Sequence, residues 1–142
     1  NQRLKAELET QVWPIPTFIY GFTREMPDFM RAADVLVTKA GPGTISEALN
    51  AGLPMILYAR LPGQEDGNVH FVVRERVGHW ASRPERVVGI LREWLEHPET
   101  RQAYARRCHE KARPEAALTI AQIIGAYLNL PAEDSPSHAN LE

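Results

Sequence analysis

A chain of 142 residues, 44% hydrophobic and 24% charged, fits one packed globular domain and excludes fibrous or low-complexity classes. Sixteen basic residues against eighteen acidic ones leave a formal net charge of −2, which excludes the strong basic bias of a nucleic-acid binder. Cys108 is the single cysteine, so no internal disulfide can form and a reducing compartment fits.

In chain order, Gln2 to Gln11 reads as a helix with Leu4 and Leu8 one turn apart. Pro14 and Pro16 break it, and Thr17 to Tyr20 reads as a buried strand. The loop Gly21–Glu25 leads to a short helix from Met26 to Ala33, with Pro27 suited to its first turn. A valine-rich strand follows at Val35–Val37, then a glycine loop, a helix ended by Gly52 and Pro54, and a strand at Met55–Tyr58. Ala59–Gly67 is a polar loop, Asn68–Val77 a helix and Gly78–Ala81 a short fourth strand. Arg83–Glu96 is amphipathic, with Val87, Leu91, Trp94 and Leu95 on one face. Glu99–Ala112 is a more polar helix whose basic residues read as a solvated face. From Pro114 a last helix carries Ala117, Ile120, Ala121, Ile124, Tyr127 and Leu128 on a stripe expected to pack in the core. Residues 131–142 are expected to be a disordered tail or tag remnant behind a domain spanning 1–130. The helical start at Asn1 without methionine, and the end at Leu141-Glu142, are expected of an excised fragment truncated at its N-terminal side.

Strands alternating with helices imply a parallel sheet covered on both faces. Ligands of such sheets bind beyond the carboxyl ends of the strands. The loops there are Gly21–Glu25, Lys39–Thr44 and Ala59–Asn68. In the second, Gly41 and Gly43 let the backbone turn and leave the next helix tip bare, with Thr44 or Ser46 as its cap. Free amides and the helix dipole at such a tip attract an anion, most often a diphosphate. Glu47, one turn deeper, is placed to accept from a hydroxyl pair such as a ribose diol. On the glycines alone, a capped turn with no ligand is an equal alternative. In the third loop, Gln64, Glu65 and Asn68 suit a polyhydroxylated ligand. An exposed turn with a helix cap is the plainer reading of that composition.

Other chemistries lack their signatures. The five histidines show no metal-ligand spacing, and no nucleophile elbow, Walker lysine or HExxH occurs. His70 and Lys39 read as surface side chains, and the adjacent Glu65 and Asp66 as a poor acid/base pair.

The stretch Thr38-Lys39-Ala40-Gly41-Pro42-Gly43-Thr44-Ile45-Ser46-Glu47-Ala48, followed by Gly52-Leu53-Pro54 and Pro62-Gly63-Gln64-Glu65-Asp66-Gly67-Asn68, resembles glycosyltransferase family 28. The likeness is strongest to its monogalactosyldiacylglycerol synthases and processive diacylglycerol glucosyltransferases. The resemblance implies a GT-B architecture of two Rossmann-like domains, of which this chain is similar to the C-terminal, donor-binding one. It implies a UDP-sugar, UDP-glucose or UDP-galactose, as substrate, with no cofactor and no metal. By motif, Phe22 and Thr23 lie beside the uracil and Met26 packs near the base. Gly41, Gly43 and Thr44 meet the diphosphate, and Glu47 the ribose. Gln64 and Glu65 face the sugar, and Asn68 supports their loop. Glu65, where the peptidoglycan branch has a glutamine, follows the diacylglycerol pattern. The implied reaction is inverting hexosyl transfer to a lipid, with the general base and the lipid groove in a domain outside this chain. The whole enzyme would be cytoplasmic, peripheral at the inner membrane face, and have no nucleic-acid partner. A stand-alone donor-binding subunit of a split transferase, a UDP-sugar epimerase of the same architecture, and a plain dinucleotide-binding module are the rival readings. The missing Gly-x-Gly-x-x-Gly after the first strand counts against the last.

Overall fold

The computed structural model describes residues 1–128, and the expected tail at 131–142 lies outside them. Three parallel strands, β1 (Leu36–Lys39), β2 (Met55–Ala59) and β3 (Gly78–Trp80), form a sheet in the order β1-β2-β3. Leu36 faces Met55 and Met55 faces Gly78, with a register shift between Thr38 and Lys39. The helices are α1 (Gln2–Glu9), α2 (Met26–Ala32), α3 (Pro42–Asn50), α4 (Asp66–Arg74), α5 (Pro84–Glu96), α6 (Pro98–Lys111) and α7 (Ala116–Tyr127).

The period-2 alternation of β2 divides the core into two layers. Met55 and Leu57 pack with Met30 of α2, Ile45, Ala48 and Leu49 of α3, Val72 of α4 and Cys108 of α6. Ile56 points to the other face, against Ile90 and Trp94 of α5. All three strand residues are fully buried. Cys108 is a packing residue. Its thiol donates weakly to the carbonyls of Leu53 (3.6 Å) and Val77 (3.5 Å), and burial pushes its pKa up to about 12. A thiol held protonated in this way is inert as a nucleophile.

Three expectations are corrected. Thr17–Tyr20 is not a strand: no ladder bonds it, and Phe18 and Tyr20 are exposed, the Tyr20 ring lying 4.9 Å from that of Phe29. β propensity needs a neighbouring strand to satisfy its amides, and β1 pairs with β2 alone. The α7 stripe is not core. Ile120, Ile124, Tyr127 and Leu128 are all more than half exposed, and no residue of the helix is buried. On α5, Leu95 is 71% exposed and Ile90 takes its place inside, because the buried stripe runs through Ile90 and Trp94 at i, i+4.

β3 approaches β2 so closely that Gly78 has no room for a side chain. A Cβ there would lie 2.2 Å from the Met55 carbonyl oxygen, a backbone atom that cannot swing aside. Gly78→Ala is therefore expected to destabilise the chain by about 1–3 kcal/mol, as overpacking of a fixed core does. Chemical denaturation read by tryptophan fluorescence checks this, and an unchanged midpoint would contradict the packing described.

His79 on β3 is half-buried between Trp94 (5.4 Å) and Tyr104 (4.9 Å). Burial lowers its pKa below 6.5, Glu93 opposing and Arg86 reinforcing the shift. As pH falls through 6.5 the unfolded chain takes up a proton that the folded chain refuses, so stability is lost on the acid side. Thermal melts at pH 7.5 and 5.5 are expected to show a smaller acid loss in His79→Phe than in the parent chain.

Candidate functional site

β1 and β2 are adjacent and parallel, so the loops leaving their carboxyl ends emerge side by side. The tip of α3 forms differently from expectation. Neither Thr44 nor Ser46 caps it; Gly41, in extended conformation, is the N-cap and supplies no side chain. Pro42 occupies the first helical position, where its fixed φ suits the helix and its missing N–H costs nothing. The first backbone bond across the cap is Ile45 N–H to Gly41 O at 3.1 Å. The amides of Gly43 and Thr44 are left without a backbone acceptor among the described residues. Nothing lies within 4 Å of where a Gly43 Cβ would be, so the tip is open on that side.

One turn deeper, Glu47 is exposed and lines a cleft between α2 and α3. The apolar part of the lining is Met26, Pro27, Met30 and Ala51; the polar part is Glu47, Asn50 and Arg31. Arg31 forms an ion pair with Asp28 on its own helix. Such a cleft, apolar on one side with a few convergent polar groups, is what a flat heterocycle joined to hydroxyls would need. Phe22 and Thr23 precede α2. The Phe22 side chain is 96% exposed, and the Thr23 hydroxyl oxygen accepts from the Glu25 N–H at 3.0 Å where α2 begins. Of that segment it is Met26 that enters the cleft lining.

The loop after β2 is held by its own acids. Gly63 turns it with a φ of +80°, a conformation that favours glycine. Asp66 accepts from the Gly63 N–H at 2.8 Å and pairs with Arg60, whose guanidinium lies 5.1 Å over the Trp80 ring. Arg60 first, then the Gly63 amide, hold the Asp66 carboxyl below the usual carboxylate range. Glu65 is buried, and its Oε2 accepts from the Leu61 N–H at 2.8 Å. Its carboxylate thus closes its own turn, while the Gln64 side chain stands exposed. Asn68 Nδ2 donates to the Ala40 carbonyl at 2.9 Å, tying this loop to the glycine loop across 28 residues of sequence.

Met26 and Glu47 therefore share one cleft, Gly41, Gly43 and Thr44 form the helix tip above Glu47, and Asn68 bridges the two loops. Glu65 is turned into the turn it stabilises. Pro27, Met30, Arg31, Asn50 and Ala51 were not foreseen as lining residues. Asn50 had a signal available, since it lies three residues after Glu47 on the same helix face. Among the described residues no cluster of three or more His, Cys, Asp or Glu side chains is placed to hold a metal, and no helix is long and apolar enough to cross a membrane.

A family profile described as the glycosyltransferase family 28 C-terminal domain matches residues 2–120. The chain is 38% identical over 133 residues to a probable monogalactosyldiacylglycerol synthase 2, chloroplastic, of Oryza sativa subsp. indica, covering 93% of this chain and 28% of that one. It is 38% identical over 125 residues to monogalactosyldiacylglycerol synthase 3, chloroplastic, of Arabidopsis thaliana, covering 87% and 27%. The chain thus spans just over a quarter of the length of these relatives. Acinetobacter baumannii MurG superposes with a TM-score of 0.65 at 19% identity, over 75% of this chain and 33% of that one. The glycotransferase of kitacinnamycin superposes at 0.60 and 21% identity, over 86% and 32%. The fold is accordingly the Rossmann-like α/β arrangement of one half of a GT-B glycosyltransferase.

Proposed function

We propose, for a chain that belongs to glycosyltransferase family 28 as a C-terminal domain, that it holds the UDP-sugar donor of an inverting hexosyltransferase acting on a diacylglycerol-like lipid. One observation carries the reading: an unblocked α3 tip with two free amides and, a turn below, an uncommitted carboxylate lining a half-apolar cleft. The Gly43 and Thr44 amides meet the diphosphate, Glu47 accepts from the ribose hydroxyls, and Met26 packs by the uracil near Phe22 and Thr23. Gln64 faces the hexose from a turn that Glu65 and Asp66 keep rigid, and Asn68 keeps that turn against the glycine loop.

The acceptor hydroxyl attacks the anomeric carbon, a new C–O bond forms with inversion, and the bond to UDP breaks with its electron pair leaving on the diphosphate. The acceptor proton passes to a base outside this chain. Charge growing on the departing UDP is met by the α3 amides and dipole, so neither metal nor cofactor is called for. The donor is UDP-glucose or UDP-galactose, and the full-length protein acts as a peripheral enzyme at the inner face of a membrane.

Isothermal calorimetry of the chain with UDP, UDP-glucose, UDP-galactose and NAD tests the reading. Saturable binding of UDP with none of NAD is expected, and no sugar transfer by this chain by itself. NAD binding as tight as UDP would overturn it.

A further inference from the structure

The cleft holds a polar side chain besides Glu47 whose orientation the fold has already decided. Asn50 closes α3, three residues after Glu47 and on the same face, and both line the cleft. Its Oδ1 accepts the backbone N–H of Arg113 at 3.2 Å, a bond between residues 63 apart. Arg113 lies just past α6, in the two-residue run that separates α6 from the turn into α7. An amide whose oxygen is held by a backbone N–H has its NH₂ turned the other way, so that side of the group presents two donors. No side chain or carbonyl among the described residues takes those donors. Glu47, by contrast, offers only acceptors. A vicinal diol needs both kinds of partner, because each hydroxyl gives one hydrogen bond and receives others.

Resting on the donor-site reading above, we propose that Asn50 is a second ribose-binding residue. Its amide NH₂ donates to a hydroxyl oxygen of the nucleotide's ribose while Glu47 accepts the hydroxyl protons, and the α6–α7 junction sets the amide's orientation through the Arg113 N–H. The pair makes the cleft selective for a ribonucleotide over a deoxyribonucleotide, and a carboxylate alone would do this less well. The Arg113 N–H uses only the oxygen at position 50, and no group among the described residues uses its donors.

Two variants separate those demands. Asn50→Asp keeps an oxygen for the Arg113 N–H and removes the donors; Asn50→Ala removes both. Each is titrated with UDP, 2′-deoxy-UDP and 3′-deoxy-UDP, with a thermal melt alongside. Both variants are expected to bind UDP about 3–10-fold more weakly, the range for one hydrogen bond lost to a ligand. Against the deoxy analogue that lacks the partner hydroxyl, the Asn50→Ala loss is expected to shrink towards none. Losses equal for all three nucleotides, or no loss, would overturn the assignment while leaving UDP binding and its dependence on Glu47 intact. If the parent chain fails to bind UDP, the donor-site reading itself falls, and this inference with it.

Discussion

Trp94→Ala is expected to lower folding stability by about 3–5 kcal/mol, the range for truncating a large buried aromatic side chain. Trp94 is fully buried on α5 and forms the centre of the second core layer with Ile56, Ala81 and Ile90. Its ring also meets His79 at 5.4 Å and Tyr104 at 5.1 Å in tilted geometry, the arrangement aromatic rings prefer. With His79 of β3 and Tyr104 of α6 it forms a three-ring cluster that ties α5 to both elements, and alanine would leave a cavity at its centre. The indole N–H has no hydrogen-bond partner among the described residues, and a buried unpaired donor costs roughly 1–3 kcal/mol. Trp94→Phe removes that donor along with one ring, so its loss is expected to be well under half that of the alanine variant. Denaturant midpoints by circular dichroism measure both. An alanine variant within 1 kcal/mol of the parent, on the scale of a tolerated swap, would mean that the second layer is not packed as described.

The second large effect is on ligand binding with folding left intact. Glu47→Ala is expected to weaken UDP binding by about 10–150-fold, the equivalent of losing a charge-assisted hydrogen bond of roughly 1.5–3 kcal/mol. The same variant is expected to melt at the parent temperature, because Glu47 is exposed and alanine is the better helix former. Glu47→Gln retains an amide oxygen and is expected to fall between the two. Calorimetry reads the affinity and a thermal scan reads the fold. UDP bound as tightly by Glu47→Ala as by the parent would remove Glu47 from the site, and with it the central support for a nucleotide there.

Much of the fold was legible because its signals are local. Short apolar runs, the first rich in valine, mark β1 and β2, and Gly41-Pro42-Gly43 between them announces a turn into a helix. The heptad-like spacing of α5 was found, yet it put Leu95 inside where Ile90 belongs. One helical turn allows two neighbouring stripes, and only the position of Ile56 across from it selects one. The cap of α3 was misjudged because threonine and serine are the commoner caps. Here Pro42 begins the helix three residues before the start that a Thr44 cap would set, and the Gly41 cap, lacking a side chain, leaves the Gly43 and Thr44 amides free. The spacing of Asn50 from Glu47 could have pointed to the cleft, but its bond to Arg113, 63 residues away, has no local signal.

By itself the sequence determined the order of helices and strands from Met26 onward, the glycine turn and the carboxylate one turn beyond it, since each depends on residues a few positions apart. Family membership belongs here too, being carried by the same short motifs. Only the tertiary structure decided that Thr17–Tyr20 runs unpaired, that the α7 stripe faces outward, that Glu65 closes its own turn, and that Met26, Glu47 and Asn50 share a cleft. The reason is physical. Propensity and periodicity report what a segment would bury or bond if a partner were at hand, whereas the identity of the partner depends on contacts between residues far apart in the chain.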